Sequence, residues 1–249
     1  MKKFLCLIMI MVLCGCSSVP TGQNEGVVGW GFKKIPGQKP QFTREQIETM
    51  GKYGCIYAGK DEKSIYLTFD EGYENGYTMP ILDVLRKHNV KAAFFITGPY
   101  LKEYGDIVDI MVQDGHIVGN HTVNHPSLPK KSPEKIEEEI KGLEDMFFER
   151  YGQKMKYLRP PMGEYNEKTL EITKNLGYTN VFWSFAYKDW ETNNQKGKDY
   201  ALSQVTKYLH GGAVILLHAV SKDNADAMEE IILKAKEMGY EFKSLDMYN

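Results

Sequence analysis

From Lys63 onward, short runs of apolar, β-branched or aromatic residues alternate with longer amphipathic stretches. Short apolar runs bounded by turn residues are typical of strands, whereas apolar positions three and four residues apart are typical of helices. Seven strands are predicted on this basis, at 65–69, 92–97, 117–119, 157–159, 179–184, 213–217 and 241–245. Six helices are predicted between them, at 79–88, 101–113, 133–151, 167–175, 200–209 and 225–238, and a shorter helix precedes them at 43–50.

Strands that are apolar throughout and alternate with helices predict a parallel sheet with helices on its faces. Local signals mark two helix ends: Ser132 and Pro133 form an N-cap and first-turn pair, and Gly211 and Gly212 follow another helix. Seven strands fit either a barrel slightly short of eight strands or an open doubly wound sheet. The predicted class is therefore α/β, with an active site at the C-terminal ends of the strands.

The beginning of the chain differs from the rest. Lys2 and Lys3 precede an apolar run, 4–13, that is too short to span the roughly 30 Å hydrocarbon core of a bilayer. A basic start followed by such a run is typical of a secretory signal. The sequence Leu-Cys-Gly-Cys-Ser-Ser at 13–18 resembles a bacterial lipoprotein signal, which implies cleavage before Cys16 and lipidation of that residue with two acyl chains.

The predicted organisation is a signal peptide at 1–15, a lipidated Cys16 with a flexible tether at 16–42, and one domain at 43–249. Residues 17–27 are mainly Ser, Gly, Gln, Asn and Thr, a composition typical of flexible linkers. We expect an exported protein that is anchored to the outer side of a membrane. A plain secretory signal that is cut nearby is the alternative.

Composition narrows the functional classes. Of the 249 residues, 42% are hydrophobic and 26% are charged, ordinary values for a globular protein. The formal net charge is −2, so no basic excess is present to attract a phosphate backbone, and no nucleic-acid partner is expected. After signal cleavage and lipidation of Cys16, only Cys55 would remain as a free thiol, which excludes an intramolecular disulfide.

Residues with reactive side chains follow five of the predicted strands. Asp70 and Glu71 follow the first strand, His121 and His125 follow the third, Arg159 ends the fourth, Asp189 follows the fifth after a short gap, and His218 ends the sixth. Because the C-terminal ends of parallel strands share one face, these side chains are predicted to converge on a single site.

The two histidines are candidate metal ligands. His121 and His125 are four residues apart, and on one turn of chain two imidazoles at this spacing can share a cation. Asp70 or Glu71 is the natural third ligand. Adjacent residues face opposite ways on a strand, but Gly72 would let the chain turn and aim both carboxylates inward. Two histidines and a carboxylate with open positions would activate water and polarise a carbonyl.

Three further residues are candidates for acid–base chemistry. The prolines after Arg159 make its segment rigid, and Arg159 could pair with Asp70 and keep that carboxylate ionised. His218, at the end of an apolar strand, is suited to protonate a leaving amine. Asp189 offers a partner for His218 or Arg159, and Trp190 beside it offers an apolar wall. A purely structural role is the alternative for each of these residues.

Five segments resemble the motifs of the polysaccharide deacetylases of the NodB-homology type, carbohydrate esterase family 4. They are Thr-Phe-Asp-Glu-Gly at 68–72, His-Thr-Val-Asn-His at 121–125, Arg-Pro-Pro-Met-Gly at 159–163, Asp-Trp at 189–190 and Leu-Leu-His at 216–218. They occur in the family's order within a match of about 65–245. The resemblance implies a distorted (β/α)7 barrel and a metal-dependent hydrolase that removes acetyl groups from a polysaccharide.

The resemblance also implies a role for each residue. Asp70 is the expected base, oriented by Arg159, His218 is the expected acid, and Asp189 supports the charged groups. The expected metal ligands are Glu71, His121 and His125, and the expected substrate contacts are Met162 (through its backbone N–H), Leu216, Trp190 and Tyr73. The expected cofactor is a divalent metal ion, zinc first, with cobalt, manganese and nickel as alternatives.

Three more segments resemble the branch that makes muramic δ-lactam in spore cortex peptidoglycan. They are Trp-Gly-Phe-Lys at 30–33, Gly-Tyr-Glu-Asn-Gly-Tyr-Thr at 72–78 and Asn-Asn-Gln-Lys-Gly-Lys at 193–198. This implies deacetylation of N-acetylmuramic acid whose peptide is gone, in the cell envelope or forespore intermembrane space of a spore former. We expect a monomer whose partners are the glycan strand and the membrane, and a further protein partner stays open.

The chain departs from the family pattern at two positions. Glu71 stands where metal-binding members usually carry Asp, and Ala186 stands at the first position of a motif that usually reads Asp-x-x-Asp-Trp. Two other functions therefore stay open. One is a catalytically inactive glycan-binding lipoprotein, and the other is a deacetylase of N-acetylglucosamine polymers, chitin or xylan.

Overall fold

The structure, a computed structural model, describes residues 26–248. The predicted signal peptide and the predicted lipidation site Cys16 lie outside the described residues. The strands are β1 (Val28–Gly29), β2 (Lys33–Ile35), β3 (Gln38–Gln41), β4 (Ser64–Glu71), β5 (Ala93–Ile96), β6 (Ile117–Asn120), β7 (Tyr157–Leu158), β8 (Glu164–Tyr165), β9 (Thr179–Asn180), β10 (Val214–His218) and β11 (Glu241–Phe242). The α-helices are α1 (Arg44–Tyr53), α2 (Thr78–Lys87), α3 (Gly98–Glu103), α4 (Gly105–Gln113), α5 (Pro133–Tyr151), α6 (Glu167–Asn175), α7 (Lys198–Lys207) and α8 (Lys222–Glu237).

Seven strands form one sheet in which all the pairs are parallel. The order is β10-β4-β5-β6-β7-β9, and β11 pairs with the first residues of β4. A single bridge between Phe185 and Ile215 joins the chain after β9 to β10, so the sheet curls toward closure. The structure thus confirms the predicted α/β class with a curled, parallel (β/α)7-type sheet.

The two faces of β4 belong to different parts of the core. Leu67 and Phe69 pack with residues of the surrounding helices, in a region that we call the helix-side core. Tyr66 packs with Phe95 and other strand residues inside the curl, in a region that we call the inner core. Every residue of β4 is buried, as expected for a central parallel strand. Successive side chains alternate between these two regions, which decides where reactive residues at the end of β4 point.

Two predicted elements differ from the observed ones. The predicted helix 101–113 is divided at Tyr104, whose backbone is not helical, and α4 starts at Gly105. A side chain at Gly105 would come within 2.7 Å of Arg150 Nη1, so a larger residue at this break would have to displace the Arg150 side chain. The predicted strand 179–184 pairs with β7 only over 179–180, because Phe182 then bonds to Ile56 and Ser184 to Val214.

The predicted tether, 16–42, is wrong over its second half. β1 pairs with β8, and β2 and β3 form an antiparallel hairpin. Trp30 is only 7% exposed and packs against Phe42 and Phe182, with ring centroids 5.4 and 4.9 Å apart. The burial of these aromatic rings holds the segment on the domain, so the residues from Val28 to Phe42 belong to the folded domain, which was predicted to begin at 43. None of the helices in residues 26–248 has the length and apolar character needed to cross a bilayer.

Candidate active site

The C-terminal ends of the parallel strands surround a cavity of about 1260 Å³. Its walls include eight residues that the sequence predicted, namely Asp70, Tyr73, His121, His125, Met162, Trp190, Leu216 and His218. Arg159 and Asp189 do not line the cavity but bond to residues that do. The predicted convergence of reactive residues from several strand ends is thus present in the structure.

Asp70 is held by a buried arginine. Arg159 Nη1 donates to Asp70 Oδ1 at 2.7 Å, and its Nη2 donates to Thr68 Oγ1 at 2.8 Å. The Arg159 side chain is fully buried, and its guanidinium lies 4.2 Å from the centre of the Phe95 ring. Burial alone would raise the pKa of Asp70, but the charge and hydrogen bond of Arg159, together with the neighbouring His121 and His218, hold this pKa below its ordinary value. Asp70 is therefore an ionised base at neutral pH.

His121 and His125 lie on a turn that is not helical. Thr122 and His125 both have positive φ, 68° and 55°, and the turn is closed by a hydrogen bond from the His125 N–H to Thr122 Oγ1. The two imidazole rings come within 4.6 Å of each other, centre to centre. His121 Nδ1 contacts the Arg159 carbonyl at 2.8 Å, which leaves Nε2 3.5 Å from Asp70 Oδ2. The pair is brought together as predicted, by a local turn after β6.

Both imidazoles are neutral at neutral pH. Burial lowers the pKa of His121 to about 4, although the Asp70 carboxylate opposes that shift. Burial also lowers the pKa of His125. A neutral imidazole has a free lone pair, so both side chains have the protonation state that metal binding and hydrogen bonding to a carbonyl substrate require.

Glu71 does not join the two histidines. The strand β4 continues regularly through Glu71, which pairs with Ile96, so its side chain faces the helix side while Asp70 faces the cavity. Both Glu71 carboxyl oxygens are buried and find no hydrogen-bond partner among the described residues. Burial, reinforced by the charges of Glu74 and Asp70, raises the pKa of Glu71 well above its ordinary value, which favours the neutral acid.

The predicted ligand role of Glu71 is therefore corrected. Gly72 does not turn the chain soon enough to aim both acids inward, since the ladder holds the backbone extended through residue 71. Within residues 26–248 no three His, Cys, Asp or Glu side chains are grouped so that they would hold a metal ion. The two imidazoles fit a divalent ion such as zinc, but the three-ligand set with Glu71 does not form.

We expect Glu71→Gln to leave both bound metal and catalytic activity within about twofold of wild type, since the change stays outside the cavity. The amide has the size of the protonated acid and lies on the far side of β4 from the cavity. Acetate release and metal content after dialysis against a chelator would be measured on both proteins. His121→Gln is the matched control, since it removes an imidazole that lines the cavity. Joint loss of metal and activity in Glu71→Gln would restore the ligand assignment.

His218 and Asp189 form the second charged pair. His218 Nδ1 lies 2.7 Å from Asp189 Oδ1, and the His218 backbone N–H donates to Oδ2 at 2.8 Å. Asn224 Nδ2 also donates to Asp189 Oδ2, which fixes the carboxylate. Burial alone would lower the pKa of His218, but the charge and hydrogen bond of Asp189, together with the charge of Asp70, raise this pKa above its ordinary value. Asp189 thus favours the protonated form of His218, whose ring faces the cavity.

Exposed apolar side chains form the rim of the cavity. Tyr73, Met162 and Trp190 are 51%, 53% and 46% exposed, unusually high for large apolar residues. The Trp190 ring meets the His218 ring edge-on at 5.4 Å, and Leu216 is buried in the cavity wall. Flat apolar faces beside polar groups are suited to contact sugar rings. These positions agree with the predicted substrate contacts, whose roles stay predictions.

The turn at 160–163 brings Met162 and Gly163 to the wall of the cavity. Met162 has a left-handed backbone, φ 58°, and Gly163 follows with φ 65°. A side chain on Gly163 would come within 2.6 Å of the Trp183 ring, so glycine is required by space as well as by conformation. The Trp30 N–H donates to the Gly163 carbonyl and ties this turn to the N-terminal segment.

Sequence reasoning missed part of the cavity. Lys34, Trp183 and Tyr200 also line it. Lys34 was assigned to a tether, and the strands around Trp183 are too short to show a clear pattern. The segment that carries Asn194 and Lys196 was noticed only for its resemblance. It reaches the cavity because the backbone N–H groups of Lys196 and Gly197 both donate to the buried Asp223 carboxylate at 2.7 Å.

Comparisons with known proteins agree with this geometry. The family model described as polysaccharide deacetylase matches residues 58–181. Over 245 residues the chain is 43% identical to the peptidoglycan-N-acetylmuramic acid deacetylase PdaA of Bacillus subtilis, which covers 97% of this chain and 93% of that protein. The solved structure of Bacillus subtilis PdaA, a family 4 carbohydrate esterase, superposes with a TM-score of 0.87 at 44% identity, covering 89% of this chain and 96% of that one. A family 4 carbohydrate esterase from Bacillus anthracis gives a TM-score of 0.76 at 41% identity, covering 90% and 96%.

Proposed function

The chain belongs to the polysaccharide deacetylase family, and we propose that it hydrolyses the N-acetyl group of N-acetylmuramic acid in peptidoglycan. The observation that carries this proposal is the presence of two charged pairs at one cavity. Arg159 bonds to Asp70 at 2.7 Å and favours its ionised form, and Asp189 lies 2.7 Å from His218 and favours its protonated form. A base and an acid that face the same space are what amide hydrolysis needs.

Each residue of the site has a separate role in the proposed hydrolysis. Asp70 removes a proton from water, and the water oxygen attacks the carbonyl carbon of the acetamido group. The negative charge that develops on the carbonyl oxygen is stabilised by the backbone N–H at Met162. His218 then donates its proton to the nitrogen, the carbon–nitrogen bond breaks, and acetate and a free amine leave. Arg159 and Asp189 contribute by fixing the charge and orientation of the base and the acid.

Deacetylases of this family are in general metal-dependent. In this chain His121 and His125 would hold a divalent ion, zinc being the ion that we propose, and the ion would polarise the substrate carbonyl when bound. The Arg159 carbonyl beside His121 Nδ1 and the turn that ends at His125 fix the directions of the two rings.

Mass spectrometry of digested peptidoglycan tests the proposed function directly. The full chain would be incubated with glycan strands from which the peptides have been removed, and with chitooligosaccharides as the comparison. We expect each muramic acid residue to lose the mass of one C₂H₂O unit, because hydrolysis replaces its acetyl group with hydrogen. Acetyl loss from glucosamine alone would favour a deacetylase of another polysaccharide. No acetate from any glycan would favour an inactive glycan-binding protein.

The freed amine of muramic acid can close on its own lactyl carboxyl group, so the product of this reaction suits muramic δ-lactam formation in spore cortex. We propose that biological setting because the family resemblance extends to the segments 30–33, 72–78 and 193–198. Detection of the δ-lactam in cortex from cells with the gene, and its absence from cells without it, would test the setting.

We further propose that the protein is anchored through lipid on Cys16, as its lipoprotein-like signal indicates. Two acyl chains give stable membrane attachment where one chain is marginal. Cys16→Ala is therefore expected to leave the protein unprocessed or to move it from the membrane fraction to the soluble fraction, as judged by fractionation and immunoblotting. Membrane association of a normally cleaved Cys16→Ala protein would contradict the proposal.

A further inference from the structure

Lys34 places an ammonium group in the wall of the active-site cavity. It belongs to β2, in the N-terminal hairpin, and its side chain is half-buried. Its Nζ donates to the Ala186 carbonyl at 2.9 Å and lies over the rings of Phe185 and Tyr208, 5.3 and 4.9 Å from their centres. One polar contact and two ring contacts hold the cation in a defined place.

Lys34 has no acidic partner. Among residues 26–248 no carboxylate oxygen lies within 4.0 Å of its Nζ, and the carbonyl of Ala186 satisfies one of its three donors. Lys188 also lines the cavity but differs from Lys34, because its side chain is 75% exposed and its Nζ lies 3.7 Å from Glu191 Oε1. Burial lowers the pKa of Lys34, as expected for a cation that loses hydration without gaining a counter-ion. An anion entering the cavity would supply that counter-ion.

The ammonium is connected to the reaction centre through β10. The Leu216 N–H donates to the Phe185 carbonyl at 2.9 Å, so the backbone that accepts from Lys34 runs directly beside Leu216. Two residues after Leu216, the strand ends at His218. Lys34 and the general acid thus line the same cavity, and the segment that Lys34 bonds to, 185–186, lies beside the strand that carries His218.

We propose that Lys34 determines specificity by binding the free lactyl carboxylate of a muramic acid residue. This inference rests on the proposed function and names the substrate feature that the site recognises. The lactyl ether is attached to the ring carbon next to the one that bears the acetamido group, so one sugar can present both groups to one cavity. N-acetylglucosamine has no such carboxylate. A muramic acid that still carries its peptide has a neutral amide in that place, so Lys34 selects glycan from which the peptide has been removed.

The test combines two substrates with three variants of the full chain. The substrates are peptide-free muramyl glycan and the same glycan with its lactyl carboxylates converted to carboxamides, and kcat and KM for acetate release are measured on each. The variant Lys34→Met removes the charge and keeps an apolar stem against Phe185 and Tyr208. The variant Lys34→Arg keeps the charge. The variant Lys33→Met is the matched control, since Lys33 is the exposed neighbour on the same strand and does not line the cavity.

We expect wild type to prefer the carboxylate substrate over the carboxamide by about 10- to 100-fold in kcat/KM, mainly through KM, as for a hydrogen bond to a charged group. Lys34→Met should lose that preference by slowing on the carboxylate substrate alone. Lys34→Arg should keep most of the preference, and Lys33→Met should keep all of it.

Two results would overturn this proposal without touching the deacetylase activity. In the first, wild type treats both substrates alike. In the second, Lys34→Met slows both substrates equally, which would assign Lys34 a structural role in holding the hairpin. If wild type releases no acetate from either glycan, the proposed function itself fails, and that outcome is distinct from both.

Discussion

Asp70→Asn is expected to lower kcat for acetate release by about 10²–10⁴-fold, the usual effect of losing a positioned base. An amide has nearly the same shape as the carboxylate but cannot take a proton from water. The change also leaves the fully buried Arg159 without its negative partner, which destabilises a protein by about 3–5 kcal/mol in comparable cases. Activity is therefore to be measured well below the melting temperature of the variant, with thermal unfolding followed by circular dichroism.

Thr68→Val separates the chemical effect of Asp70 from the structural one. Thr68 accepts a hydrogen bond from the same guanidinium, at 2.8 Å from Arg159 Nη2, but it takes no part in proton transfer. We expect this control to lower stability while keeping activity within about tenfold of wild type, since the base stays in place. If both variants lost activity in proportion to stability, or if Asp70→Asn turned over normally, Asp70 would not be the base.

Much of the fold was predictable because the parallel strands are buried on both sides. The strand β4 is apolar from Ile65 to Phe69 apart from Thr68, and its predicted and observed bounds differ by two residues or fewer. The ends of strands β7 and β9 were harder to predict, because each strand contributes only two residues to the pairing between them. Beyond those residues the chain bonds to other partners. In such short strands the hydrogen-bond partners, which depend on tertiary structure, decide where pairing ends.

The site residues could be predicted where the backbone geometry of the sheet alone fixes their position. A residue at the C-terminal end of a parallel strand necessarily faces the common edge, which is why Asp70, Arg159 and His218 could be placed together. The direction of the next side chain was not settled by that rule. Glu71 faces the helices because the parallel pairing of β4 with β5 extends through residue 71, although Gly72 suggested that the chain would turn before that point. A strand that is longer by one residue places its last side chain on the opposite face of the sheet.

Lys34 shows a different limit of sequence reasoning. Residues before α1 look like a linker because they contain glycine, proline and polar residues. Their order in the structure comes from aromatic side chains far apart in sequence, since Trp30 packs on Phe182 and its Nε1 donates to the Trp183 carbonyl at 2.7 Å. A contact across more than 150 residues leaves no periodic signal in either segment, so the cation that this segment brings to the cavity could be found only in the structure.

His218→Ala is expected to lower kcat by about 10²–10⁴-fold, because the leaving amine would depart without a proton. The pH dependence gives a more specific test of the same role. Asp189 raises the pKa of His218 above 6.5, so wild-type activity should persist above that pH and fall as pH rises through the raised pKa. Because the pKa of His218 is higher in the folded protein than in the unfolded chain, the His218–Asp189 pair contributes fully to the unfolding free energy below the unfolded-state pKa. That contribution is lost as pH rises through the folded-state pKa.

Asp189→Asn should move this alkaline limb to lower pH, since the amide cannot stabilise the imidazolium while burial still lowers its pKa. The amide can keep the hydrogen bond from the His218 backbone N–H, so the position of His218 should be largely retained. The matched control is Asp223→Asn, a buried carboxylate that anchors the 196–197 segment and does not bond to His218. A rate profile from pH 5 to pH 10, at about half-unit steps, would locate each limb. An alkaline limb that stays in place in Asp189→Asn, or moves equally in Asp223→Asn, would show that the proton donated to the amine does not come from the His218–Asp189 pair.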